Sequence, residues 1–211
     1  MDNRDNQLTG EESFSIIQQM IETAKREQND DGLGWISWGW MLFVASALTV
    51  INLHTNWVNE FFFWNAFGLA TIVFMVISSI RSNMTRRKAR VKTYTKEIYN
   101  KLNIGFAITL MLIVVGMNVG VGPKLGFCML MAIYGFWVLI YGALFNFKPS
   151  QIGSYFIWAC ALAGMFMKTW EWVMILHGAA VFAGYIIPGH MAYYEFKKAE
   201  GRQKIKRNVG V

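Results

Sequence analysis

The chain has 211 residues, 55% hydrophobic, 16% aromatic and only 16% charged, where an ordinary soluble domain carries roughly a quarter charged residues. Its charges are bunched, leaving uncharged apolar runs of roughly 20 residues, the length that crosses a bilayer as a helix. The net charge of +7 sums an acidic N-terminus, a basic loop and a basic tail, a distribution that reports cytoplasmic loops and argues against a nucleic-acid partner.

The predicted fold class is all-α, a polytopic membrane helix bundle. Six transmembrane helices stand in three consecutive hairpins, with both termini on the cytoplasmic side. Residues 1–33 come first, with three basic and eight acidic side chains. Thr9 and Glu12 form a capping-box pattern, and Phe14, Ile17, Met20, Ile21 and Ala24 line one face of an amphipathic helix. This segment is the wrong n-region for a signal peptide.

The membrane domain runs over 34–194. Its spans are predicted at Gly34–His54, Phe61–Ile80, Leu102–Gly120, Leu125–Phe147, Gln151–Met167 and Trp172–Tyr194. At 1.5 Å per residue each crosses, or nearly crosses, roughly 30 Å of hydrocarbon. Helices are required there because lipid cannot satisfy open backbone groups.

Between the second and third spans lies a basic loop, 81–101, with eight basic residues and one acid. Met84, Val91, Tyr94 and Ile98 recur in it at helical spacing, so the flanking spans are expected to extend into the cytoplasm. Arg86, Arg87, Lys88, Arg90 and Lys92 form a run suited to anionic lipid headgroups. The opposite charge of the N-terminal helix makes docking of Phe14, Ile17 and Ile21 and their neighbours onto this loop an expectation as well. The tail, 195–211, carries six basic and two acidic residues. Loop and tail together hold fourteen of the twenty basic residues, and the three loops assigned outside (55–60, 121–124 and 168–171) hold two lysines. That asymmetry sets the orientation.

Within the spans, the pattern is defined by what is missing. No Asp, Glu, Lys or Arg lies in the middle of any span, which argues against a proton-coupled pump or a carrier of charged substrates. Trp35, Trp38 and Trp40 cluster at the inner end of span one, and Trp57, Trp64, Trp170 and Trp172 flank outer ends, as an aromatic belt does. Trp137 and Trp158 sit deeper and face either a cavity or lipid. Small residues recur at close-packing spacing in Ala66 and Ala70, Gly116 and Gly120, Cys160 and Gly164, and Ala180 and Gly184.

Three histidines occur. If spans one and six are neighbours, His54 and His177 are a remote candidate for a shared haem or metal, with Glu60 and Glu171 nearby; interfacial histidines without ligands are the stronger expectation. Cys128 and Cys160 lie in apolar runs and match no zinc spacing, and no cofactor is implied. Pro188 and Gly189 near the end of span six are a candidate hinge, although proline kinks are ordinary in membrane helices. Nothing pairs a nucleophile with a base, and no phosphate loop or HExxH motif is present, so an enzyme is not expected.

The order Ser13–Lys25, Trp38-Gly39-Trp40, Phe147-Lys148-Pro149 and Tyr185-Ile186-Ile187-Pro188-Gly189-His190 resembles a group of uncharacterised integral membrane proteins of Bacteroidota-type bacteria. The resemblance implies a bacterial inner membrane and, because such proteins are often encoded beside a winged-helix regulator, a regulatory setting. It supplies no catalytic residue.

The expected function is a sensory, regulatory or scaffold role exercised through the cytoplasmic face, with anionic lipid and either a protein partner or a second copy of the chain bound there. The alternative is a small transporter or channel for a neutral or lipid-like solute.

Overall fold

The computed structural model describes residues 32–71, 73 and 94–209. Phe14, Ile17, Ile21, Arg86, Arg87, Lys88, Arg90 and Lys92, and the docking expected between their segments, lie outside the described residues. The described residues divide into two units, Gly32–Met191 and 192–209.

In the first unit α1 spans Leu33–Thr55, and α2 covers residues 62–71. Helix α3 spans Tyr94–Gly116 and runs into a wide turn at Met117–Val121. Then come α4, Pro123–Leu144, α5, Lys148–Phe166, and α6, Trp170–Val181. A π-type turn at Phe182–Ile186 leads directly into α7, Ile187–Val209. No strand occurs among the described residues.

Four helices among the described residues are long and apolar enough to cross a membrane: Leu33–Thr55, Lys101–Val121, Pro123–Leu144 and Trp170–Gly201. The chain is thus a helical membrane protein. Helix α5 covers the expected fifth span and has the length, at 19 residues, but is not among these four. Lys148, Ser150, Gln151 and Ser154 in its first two turns make it less apolar than the other four. Part of the expected second span lies outside the described residues.

The chain's own turn residues set these boundaries. Asn56 (φ 52°) closes α1 in the left-handed region, and its N–H donates to the Asn52 carbonyl at 2.7 Å, the usual way of satisfying a helix's last carbonyls. Pro123 opens α4, where its fixed φ suits the first helical turn and its missing N–H costs nothing. Asn146 takes φ 50° between α4 and α5. The Phe147 amide and the Gln151 side-chain amide both donate to the Gly142 carbonyl, at 2.8 and 2.9 Å, binding that turn tightly.

Helices α4 and α5 form the closest pair, α6 packs on both, and α1 lies along α6. Leu42, Met131, Val138, Ile157, Val173, Met174 and Val181 fill the middle and are fully buried. Since lipid tails are as apolar as these side chains, close packing rather than the hydrophobic effect holds such helices together. Glycines supply the close approach. A Cβ on Gly153 would stand 3.0 Å from the Gly184 Cα, and one on Gly164 would stand 3.0 Å from the Cys128 sulfur. Trp158 lies over Gly135, and its Nε1 donates to the Ala132 carbonyl at 2.9 Å. Trp137 is buried and stacks on Phe106 at 4.8 Å. Both of these deep tryptophans are packing residues between helices.

Within the second unit the described residues, 192–209, are helical, where the sequence reading left a plain basic tail. The Lys197 ammonium sits 5.0 Å from the Tyr193 ring centroid, within cation–π range.

Candidate functional site: a buried histidine in an aromatic cluster

His177 lies two turns into α6 and is fully buried. Its ring is held from α1. The Ser46 hydroxyl donates to the Leu42 carbonyl one turn back at 2.9 Å and stands 2.8 Å from His177 Nδ1. With the hydroxyl proton committed to that carbonyl, Nδ1–H is the donor to Ser46 Oγ, which leaves Nε2 with its lone pair. His177 Nε2 has no hydrogen-bond partner.

Aromatic rings enclose it. Trp64 from α2, Phe127 and Tyr134 from α4 all meet the imidazole edge-on, with centroids 5.3, 5.5 and 5.8 Å away. Phe127 is the hub, with Trp64 at 4.4 Å and Trp170 at 4.9 Å. Tyr134 leads on to Tyr185 at 6.0 Å, and Tyr185 to Trp35 at 4.9 Å. The indole N–H groups of Trp64 and Trp170 and the Tyr185 hydroxyl are buried without partners too. Four unpaired polar atoms thus sit in one ring network, each costing on the order of 1–3 kcal/mol when left unsatisfied. The remaining buried polar groups of α1 are paired. Thr49 Oγ1 donates to the Ala45 carbonyl at 2.7 Å, and the Asn52 side chain exchanges hydrogen bonds with the Val58 backbone at 2.9 and 3.0 Å.

Helices α1 and α6 are neighbours, yet His54 and His177 have separate partners. His54 is exposed at the end of α1 and its Nε2 lies 2.9 Å from Glu171 Oε1, joining the end of α1 to the start of α6. Among the described residues no group of three or more His, Cys, Asp or Glu side chains stands together as a metal site. Pro188 and Gly189 are both buried. The π-type turn just before them closes with the Ile187 N–H donating to the Phe182 carbonyl, and the helix continues through Pro188. A Cβ on Gly189 would meet Ile36 at 2.9 Å, so this stretch is pressed against α1.

Trp64 and Trp170, expected in an interfacial belt, pack their rings on Phe127. Ser46 is not among the residues that the sequence singles out. The available signal was a histidine and a serine inside otherwise apolar runs, but their pairing across 131 residues is a tertiary fact. Comparisons with family models, with curated proteins and with solved structures each returned no match.

Proposed function

We propose that this is a non-enzymatic, six-span inner-membrane protein with both termini in the cytoplasm, acting in sensing, regulation or scaffolding through its cytoplasmic face. The observation that carries the reading is the unbroken helical course from Trp170 to Val209, in segments of 12, 5 and 23 residues. Residues 192–209 are helical and carry Lys197, Lys198, Arg202, Lys204, Lys206 and Arg207, beyond the apolar run of the last predicted span. Helix α3 likewise begins at Tyr94, ahead of the apolar run at Leu102. Helical segments that continue past the apolar runs and are rich in cations supply a platform for an acidic partner or for anionic lipid. The bacterial inner membrane is the setting that the resemblance around Trp38-Gly39-Trp40 and Tyr185–His190 supports.

Native mass spectrometry of the chain extracted gently from its own membrane tests this. A protein that co-purifies with the full chain and is lost when residues 1–30 or 195–211 are removed is the expected result. A bare chain carrying a defined small molecule in every variant would overturn the reading in favour of a carrier.

A further inference from the structure

At the end of the bundle that carries His54 and Glu171, the wide turn after α3 meets the start of α4 and the end of α5. A cleft of about 270 Å³ opens there, lined by Val121, Gly122, Pro123, Lys124, Leu125, Cys128 and Met165. Its walls are apolar apart from one cation. Lys124 is half-buried at the rim, and among the described residues no carboxylate forms an ion pair with it. The first turn of α4 also faces this space, with no side-chain cap on its amides. The 22 residues of α4 make a rod of roughly 33 Å, so its first turn falls at the boundary between hydrocarbon and headgroups. Leu162, one turn before Met165, and Phe166, the residue after it, share one face of α5 and are exposed by 59% and 78%.

We propose that this cleft holds the phosphodiester head and first methylenes of one anionic phospholipid, with Lys124 as the counter-charge and the acyl chain lying along Leu162 and Phe166. A hydrated inorganic ion gains nothing from Val121, Leu125 and Met165, whereas a lipid matches both halves of the site. The cation draws the phosphate to the rim, and the apolar walls take the carbons that follow it. The volume suits a headgroup and not an entire lipid, so the chain must leave along the helix surface, where the exposed side chains already are.

The test is native mass spectrometry of the full chain titrated separately with phosphatidylglycerol and phosphatidylcholine. The wild type is expected to retain one phosphatidylglycerol that Lys124→Gln binds roughly tenfold more weakly, as loss of one charge-assisted contact implies. Met165→Trp, which fills the cleft without changing charge, should lose the same lipid. Lys168→Gln, a lysine at the same end but outside the cleft, should keep it. If Met165→Trp fails to fold, the comparison of Lys124→Gln with Lys168→Gln still decides. Equal retention by Lys124→Gln and wild type overturns the proposal, as does equal binding of phosphatidylcholine. Displacement of the lipid by millimolar inorganic phosphate would assign the site to the free ion and overturn it as well.

Discussion

Ser46 Oγ and His177 Nδ1 stand 2.8 Å apart and join α1 to α6 across 131 residues of sequence. Ser46→Ala removes the acceptor and strands Nδ1–H inside the bundle, at an expected cost of about 1–3 kcal/mol. His177→Phe keeps a ring among Trp64, Phe127 and Tyr134 while deleting both nitrogens, so its cost should be smaller. The double variant should be less destabilised than the sum of the singles. Equilibrium unfolding in mixed micelles measures all three, and strictly additive losses would show that the pair is not coupled.

Gly153 and Gly105 separate packing from propensity. A Cβ at Gly153 would press on the Gly184 Cα at 3.0 Å and the Ala183 carbonyl at 3.1 Å, both backbone atoms that cannot turn aside. Gly153→Ala should therefore destabilise by about 1–3 kcal/mol. At Gly105, in the interior of α3, an added Cβ meets nothing within 4 Å. Gly105→Ala should be neutral, or stabilising by up to about 1 kcal/mol. Comparing the two unfolding midpoints checks both signs at once.

Gly122, between α3 and α4, has φ 75° and ψ 159°, a conformation close to exclusive to glycine. Gly122→Ala should cost about 1–3 kcal/mol. Gly122→Asn should give no rescue, because asparagine favours the left-handed region near ψ 45° and not this one. Recovery of wild-type thermal stability by the asparagine variant would contradict the backbone assignment.

His54 and Glu171 make the opposite case. Both side chains are substantially exposed, at 65% and 37%. Loss of either partner should change stability by less than about 1 kcal/mol. A larger drop in the melting temperature of Glu171→Ala than of Ser46→Ala would reverse the ranking of the two α1–α6 contacts.

Much of the helical layout was legible because apolar run length and turn residues are local properties. Pro123, Asn56 and Asn146 mark ends that the chain encodes where they stand, and the first, third, fourth and fifth predicted spans fall within a few residues of α1, the end of α3, α4 and α5. The interior was harder to read. Tryptophan has an apolar face and a polar edge, so a residue near a span end suits lipid headgroups and a protein core equally well. Trp64 and Trp170 could be separated from Trp57 only by knowing that Phe127 stands opposite them. His177 invited a metal reading because its partner, Ser46, is the kind of small polar residue that a survey of charged side chains passes over. The helical course past Tyr194 was missed because it has no apolar stripe, and length alone does not reveal it.

The π-type turn at Phe182–Ile186 has a consequence for register. Gly184, Tyr185 and Ile186 are buried in succession, and Pro188 and Gly189 are buried just after them. The extra residue acts as a phase shift of about 100°. Downstream of it, Pro188 and Gly189 are turned inward, and Gly189 meets Ile36 and Trp35 on α1. Deleting any single residue from 182–186 would let the helix regain its regular pitch. It would also swing the proline toward lipid and put a bulky side chain where α1 has room only for glycine. The turn thus works as a one-residue gear between the two halves of the last membrane helix.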